Sequence, residues 1–175
     1  MTSVTMAANE DLAGLIAVMS ARLRRLEDIE QIQALHRSYV RYLADRRWDD
    51  MLELFTDDVV VDLGHDGVRR GREQVVELFG LIESRGNPHA GYVLSSPVIE
   101  VTADSATGVW TLHRHSCEFI EMGATVRVYG RWTEARYNCG YRRIGEEWQI
   151  SRLQARVVLP DPQPVSGTDA AAEPQ

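Results

Sequence analysis

The sequence predicts an α+β domain in which helices come first and a long antiparallel sheet follows. Apolar residues return every three or four positions across residues 11–43, which is typical of an amphipathic helix. From residue 92 onward, apolar and polar residues alternate in long runs separated by turn signals. Strands of this length twist and curl, and their apolar face needs covering. We therefore expect one strongly curved antiparallel sheet wrapped around the N-terminal helices, leaving a conical cavity with an apolar floor.

The helices are predicted in three segments. Residues 11–43 contain no proline and, after Gly14, no glycine, so they form either one long helix or two helices broken near Arg24. A shorter helix is expected over residues 48–55. A third helix opens at Gly71 and is stopped by the sequence Gly-Asn-Pro at residues 86–88.

The strands are predicted from their β-branched content and their alternation. Residues 59–63 form the first, and the remaining strands are expected at 92–101, 106–121, 125–143 and 147–158. The segment 159–175 is rich in proline and lacks aromatic residues, which predicts a disordered C-terminal tail. The expected organisation is therefore an N-terminal helical extension (1–25), a folded domain (26–158) and the tail (159–175).

Composition excludes several classes of function. The 26 acidic residues outnumber the 19 basic ones, for a net charge of −7, which disfavours nucleic-acid binding. All 19 basic residues are arginine, so no Schiff-base lysine or P-loop lysine exists. No apolar run approaches the ~20 residues of a membrane span, and acids rather than basic residues precede the short apolar run at 13–19. We expect a cytoplasmic protein that uses no cofactor and no membrane.

Four segments, taken together and in this order, carry a resemblance to a known family. They are the helix end from Tyr39 to Trp48 with the following Phe-Thr-Asp-Asp at 55–58, the Gly-Arg-Glu-Gln-Val at 71–75, the Ser-Pro-Val-Ile-Glu-Val at 96–101, and Gly-Arg-Trp at 130–132 with the Trp148 segment. This pattern resembles the SnoaL-like branch of the NTF2-like superfamily across residues 26–158. The resemblance implies the NTF2-like cone, a fold that hosts dehydratases, dehydrochlorinases, isomerases, polyketide cyclases and non-catalytic binding subunits.

The resemblance implies that an acid at the end of the first long helix takes part in proton transfer, and Asp45 stands there. Tyr42 and Tyr39 precede it at helical spacing and are expected to contact substrate. A carboxylate under an apolar roof loses hydration, its pKa rises, and it becomes a better general base. The alternative is a water-exposed residue neutralised by Arg46 and Arg47. Asp45 also lies one residue closer to Trp48 than the family pattern has it, which predicts a rotated side chain.

The proton-transfer partner of Asp45 is open between two residues. Tyr92, rather than a histidine, stands at the family's histidine position. His89 lies three residues earlier, in the loop that enters the strand. Either His89 acts from a shifted position, or Tyr92 replaces the histidine as a phenolic acid or hydrogen-bond donor.

His113 and His115 alternate along one strand and therefore project from the same face, ~6.6–7 Å apart. The resemblance makes them candidates for histidines that line the cavity and orient substrate, with His115 in a catalytic role. Metal binding by the pair is a weaker alternative, because the spacing does not fit a cupin, and no metal is expected. Trp110 and Trp132 are candidates for contact with an aromatic substrate, or for the core or a subunit interface.

Three functions follow, in order of preference. The first is a cofactor-independent lyase or isomerase that moves protons on a small hydrophobic, cyclic substrate in the cone. The second is a non-catalytic protein that binds a small ligand or forms oligomers, favoured by the tyrosine at position 92. The third is a metal-dependent enzyme that uses His113 and His115. Exposed strands of this length also predict a homodimer or homotrimer.

Overall fold

The computed structural model describes residues 2–84, 90–122 and 125–158, with side chains outside 2–10, 65, 83, 90, 96 and 116–131. The elements in chain order are α1 (Thr2–Asp45), α2 (Trp48–Leu52), β1 (Phe55–Asp62), a 3-10 turn (Gly64–Asp66), β2 (Val68–Arg70), α3 (Gly71–Ser84), β3 (Ala90–Thr102), β4 (Ser105–Met122), β5 (Thr125–Ile144) and β6 (Glu147–Val158). The predicted α+β class is confirmed.

The first helix is a single uninterrupted element of 44 residues, so the predicted alternative of a break near Arg24 is wrong. It ends where Arg46 adopts a left-handed backbone conformation, with φ of 56°. The backbone N–H of Arg47 then donates to the carbonyl of Tyr42 at 2.9 Å. This local bond closes the last turn and directs the chain into α2.

The six strands form one sheet in the order β2-β1-β6-β5-β4-β3. The pairs β3–β4, β4–β5 and β5–β6 are antiparallel, as expected. The expectation of a wholly antiparallel sheet is corrected at one place, because β1 pairs with β6 in parallel, with Val61 opposite Leu153. The strand β1 also begins at Phe55 rather than at residue 59, since Phe55 is held opposite Ile150. The short strand β2 was not predicted.

Strand alternation divides the sheet into an inner and an outer face. The buried residues of β4 and β5, which include Trp110, Leu112, Tyr137 and Tyr141, point to the inner face. The face of α1 that carries Ile32, His36 and Tyr39 covers them. We call the region between these two surfaces the cone interior. The helix α3 adds its buried residues Val75, Leu78 and Phe79 to the same core.

A polar contact fixes the middle of α1 against one end of the sheet. The guanidinium of Arg143 donates to the carboxylate of Asp28, and the indole of Trp148 donates to the same oxygen at 3.2 Å. Arg143 also lies over the Trp148 ring, 4.5 Å from its centroid. This contact marks the position at which α1 begins to pack on the domain. Within the described residues, no helix is long and apolar enough to cross a membrane.

Candidate functional site

The partners of α1 show how the helix runs through the cone interior. Asp28 contacts Arg143 near the β5–β6 turn. About two helical turns further along α1, His36 contacts Tyr141. Tyr39 then meets Tyr137, which lies further from that turn along β5. One face of α1 is buried here, at Ile32, His36, Tyr39 and Val40, whereas Asp45 at the end of the helix is exposed. The C-terminal end of α1 therefore lies at the end of the sheet away from the β5–β6 turn, which we call the rim.

Three aromatic side chains form the deep part of the interior. The rings of His36 and Trp110 are stacked, with centroids 4.3 Å apart and planes 7° apart. The indole Nε1 of Trp110 donates to the Tyr141 hydroxyl at 2.7 Å, and that hydroxyl lies 3.1 Å from Nδ1 of His36. Gly108 makes this arrangement possible, because a Cβ there would lie 2.9 Å from the Tyr141 ring and 3.0 Å from the indole nitrogen.

The second ring nitrogen of His36 has no hydrogen-bond partner among the described residues, although the side chain is fully buried. Burial lowers the pKa of His36 to about 3, so the imidazole is neutral at physiological pH. Whichever nitrogen carries the proton, Nε2 retains an unused donor or acceptor function inside the cone. Such buried polar groups are rare in folded proteins.

Two tyrosines form the next layer toward the rim. The hydroxyls of Tyr39 and Tyr137 are hydrogen-bonded to each other, and Tyr92 interacts electrostatically with both. Burial raises the pKa of Tyr39 and of Tyr137 well above the usual value. Both phenols therefore remain protonated and act as neutral hydrogen-bonding groups.

The inner face changes from apolar to polar at the rim. Leu94, Leu112 and Ala135 stand opposite one another on β3, β4 and β5. The next inward-pointing positions toward the rim are Tyr92, Arg114 and Thr133, also in register. We call this second set the rim row. Tyr92 and Thr133 are partly buried and Arg114 is exposed, so the row places a guanidinium and two hydroxyls beside an apolar surface.

Asp45 does not lie under an apolar roof, and that expectation is corrected. Its side chain is exposed at the end of α1. The neighbouring Tyr42 ring is flanked by two guanidinium groups, those of Arg41 at 5.2 Å and Arg47 at 4.7 Å from its centroid. The carboxylate is therefore hydrated and close to positive charge. The catalytic role of Asp45 stays a prediction. The structure does not show the desolvation on which its proposed role as a general base rested.

His113, His115 and Trp132 lie on the outer face of the sheet, so the expectation that they line the cavity is also corrected. The strand β4 keeps regular alternation, and Trp110 and Leu112 occupy the inner face. His113 approaches Glu134, with Nε2 and Oε2 3.7 Å apart. His115 packs against Trp132, with ring centroids 4.8 Å apart. A shift of β4 by one residue would turn both histidines to the inner face, so the strand register decides their location.

The remaining predicted residues divide between the interior and the undescribed part of the chain. Tyr39, Tyr92 and Trp110 contribute to the cone interior, and their roles in substrate binding and proton transfer stay predictions. His89 lies outside the described residues. The sequence patterns did not mark His36, Arg114, Tyr137 or Tyr141 as site residues. The signal for His36 was its place in the stripe of Ile32, Tyr39 and Val40 on one helix face.

A separate groove of about 360 Å³ lies between α1, the two residues that precede β1, and the β5–β6 turn with the start of β6. Leu35, Leu54 and Trp148 provide its apolar surface, and Glu146 and Glu147 lie at its edge. None of the predicted site residues lines this groove. Among the described residues, no three His, Cys, Asp or Glu side chains are grouped as metal ligands would be.

The sheet, the covering helix and the polar aromatic interior define an α+β cone with a hydrogen-bonding interior. The chain belongs to the SnoaL-like domain family, whose model matches residues 24–154. This confirms the resemblance to NTF2-like proteins. No curated protein matches the chain.

Solved structures share the fold at low sequence identity. A scytalone dehydratase candidate from Novosphingobium aromaticivorans superposes with a TM-score of 0.64 at 16% identity, covering 77% of this chain and 87% of that one. A hexachlorocyclohexane dehydrochlorinase, LinA-type3 from Novosphingobium barchaimii, gives 0.65 at 18% identity, covering 77% and 89%. An NTF2-like protein from N. aromaticivorans gives 0.59 at 23% identity, covering 87% and 92%. These likenesses show the fold alone.

Proposed function

We propose that the cone binds a small hydrophobic molecule that carries an anionic or carbonyl oxygen. The rim row is the observation that supports this proposal. The guanidinium of Arg114 and the hydroxyls of Tyr92 and Thr133 stand side by side, immediately outside the apolar row of Leu94, Leu112 and Ala135. Such an arrangement orients an amphipathic ligand, with its oxygen on the arginine and its apolar body directed inward.

The protonation of the interior also favours binding over proton transfer there. General acid–base catalysis is most efficient when the pKa of the group lies near the working pH. The pKa of His36 is lowered to about 3 by burial, and burial holds the pKa of Tyr39 and Tyr137 far above neutrality. These groups keep one protonation state across the physiological range, which suits hydrogen bonding to a ligand.

The binding proposal is tested with 2-naphthoate and its neutral analogue 2-naphthol, titrated into the full-length chain by calorimetry. Replacing Arg114 by Met removes a charge-assisted hydrogen bond, so 2-naphthoate binding is expected to weaken by about 10-fold or more. Binding of 2-naphthol should change less. Arg136→Met, on the outer face of β5, is the matched control and should leave both affinities unchanged. Equal weakening by Arg136→Met, or no binding of either compound, would reject the proposal.

A second candidate function is a cofactor-independent lyase or isomerase of the dehydratase or cyclase type. The observation that favours it is the shared location of Asp45 and the rim row at the same end of the cone. In this mechanism the Asp45 carboxylate takes a proton from the carbon beside a carbonyl, and Arg114 and Tyr92 hold the resulting enolate oxygen. The proton then returns to another carbon, or a leaving group departs. The names of two structural neighbours, a dehydratase candidate and a dehydrochlorinase, agree with this class.

Catalysis is tested separately by following deuterium exchange at the carbon beside the carbonyl of 1-tetralone in D2O by NMR. The wild-type chain should accelerate exchange above the buffer rate, and Asp45→Asn should abolish the acceleration. Asp49→Asn, an exposed carboxylate nearby, is the control and should retain it. If 1-tetralone binds but exchanges at the buffer rate, the chain is a binding protein and the catalytic candidate is rejected.

A further inference from the structure

The segment of α1 before Asp28 carries an apolar stripe with no partner among the described residues. Leu12, Ile16, Met19, Leu23 and Leu26 are each more than half exposed. They recur at alternating intervals of four and three residues, so they lie along one side of the helix over about 21 Å. This segment precedes the part of α1 that packs on the domain. It also begins well before residue 24, where the family match starts.

The spacing of the stripe is that of a coiled coil. In heptad notation Ile16 and Leu23 occupy a positions, and Leu12, Met19 and Leu26 occupy d positions. The β-branched Ile16 at a, with leucine at two of the three d positions, is the part of this pattern that favours two strands.

Charges beside the stripe indicate the identity and direction of the partner. Arg22 occupies a g position and Glu27 the e position five residues later. In a parallel, in-register pair of helices, g of one copy faces that e position of the other, so two Arg22–Glu27 ion pairs form across the interface. Within its own helix, Arg22 has no acidic residue at three or four positions on either side. An antiparallel pair would place g opposite g and lose these ion pairs.

From these observations we infer that residues 12–27 of α1 form a parallel two-stranded coiled coil with a second copy of this chain. The segment contains two heptads, which is short for an independent coiled coil. It is, however, continuous with the helix that Asp28 anchors to the folded domain, so its helical conformation is already stabilised by tertiary packing. The expected homo-oligomer thus acquires a defined contact outside the sheet.

The test is the molar mass of the full-length chain by sedimentation equilibrium. Ile16→Lys/Leu23→Lys places charge in the stripe and should halve the number of chains in the assembly. Ala17→Lys/Ala21→Lys adds the same charge at the b and f positions and should leave the assembly intact. Both variants should keep the near-ultraviolet circular dichroism of the wild type, which shows that the domain is folded.

Direction is tested by oxidation of Leu12→Cys. A parallel, in-register pair brings the two introduced thiols within disulfide distance, so a covalent dimer should form that the parent chain does not give. An antiparallel pair separates them by more than the span of the stripe. A monomeric wild type, an assembly unaffected by Ile16→Lys/Leu23→Lys, or the absence of the Leu12→Cys cross-link would overturn the inference. These outcomes are independent of ligand binding at the rim row.

Discussion

The imidazole of His36 lies flat against the indole of Trp110, with ring planes only 7° apart. The polar contact of His36 among the described residues is the Tyr141 hydroxyl, 3.1 Å from Nδ1, and that hydroxyl already accepts the Trp110 N–H. No described carboxylate bonds to the ring. A proton on His36 would therefore create a buried charge without a counterion, which the folded state strongly disfavours.

Stability should fall on mild acidification because of His36. Its pKa is about 3 in the folded state and 6.5 in the reference state. Between these values the unfolded chain binds more protons than the folded chain, so the free energy of unfolding rises with pH and is lost as pH falls below 6.5. Between pH 7.5 and 4.5 the expected loss is about 2–3 kcal/mol, on the basis of ~1.4 kcal/mol per pH unit. Urea unfolding at the two pH values measures it.

The control for this pH dependence is His36→Phe, which keeps an aromatic ring against Trp110 but cannot be protonated. The difference in unfolding free energy between pH 7.5 and 4.5 should shrink by the amount assigned to His36. A variant as acid-sensitive as the wild type would mean that other groups cause the loss.

Gly108→Ala should destabilise the chain by about 1–3 kcal/mol, the usual range for overpacking in a core. The added methyl group would lie 2.9 Å from the Tyr141 ring, and two large aromatic side chains cannot both move away. Urea unfolding gives the value. Gly80→Ala is the matched control. Gly80 lies in α3, and a Cβ added there would meet no atom within 4 Å. That variant should be neutral or more stable by about 0.5–1 kcal/mol.

Arg46→Gly should stabilise the chain. Arg46 has φ of 56°, a conformation that a side chain with a Cβ adopts at a cost of ~1–2 kcal/mol. Glycine adopts it freely but loses more conformational entropy on folding, so the net gain should be about 0.5–1 kcal/mol. Thermal unfolding measures the change. Ala44→Gly, two residues earlier and inside α1, should instead destabilise by about 1 kcal/mol. Stabilisation by both variants would contradict this account of the helix end.

The thiol of Cys139 should be unreactive in the folded protein. It is buried on the inner face of β5, and burial raises its pKa to about 12, so the thiolate is scarce at neutral pH. In a Cys117→Ser chain, where Cys139 is the single cysteine of the sequence, iodoacetamide at pH 8 should label it only after unfolding. Mass spectrometry detects the label, and rapid labelling without denaturant would show that this part of the core opens.

The sequence patterns predicted the fold well where periodicity is unambiguous. The helical spacing of apolar residues from Leu12 to Leu43 predicted α1. The alternation of apolar and polar residues predicted the antiparallel strands β3 to β6. The parallel pairing of β1 with β6 was not predictable, because it joins segments that are distant in the chain and leaves no local pattern. The start of β1 was missed since Asp57 and Asp58 are poor strand formers, whereas Phe55 is held by its contact with Ile150.

The candidate site was harder to predict, because its members depend on which face of a strand points inward. The sequence showed that His113 and His115 share a face, but the buried partners decide which face that is. Trp110 and Leu112 occupy the inner face of β4. By strand alternation Arg114 is then on the inner face and both histidines are on the outer face. The sequence pattern correctly predicted that α1 ends near Asp45. It could not predict the exposure of Asp45, because exposure depends on how far α1 extends beyond the sheet.

The parallel pairing of β1 with β6 has a consequence for synthesis on the ribosome. Val61 pairs with Leu153, so β1 cannot pair with β6 until β6 has been translated. Until then α1 emerges with its apolar surface uncovered, and chaperones have a long interval in which to bind it. A chain that terminates before β6 would leave β1 without its neighbour, and such a fragment should be degraded rather than accumulate.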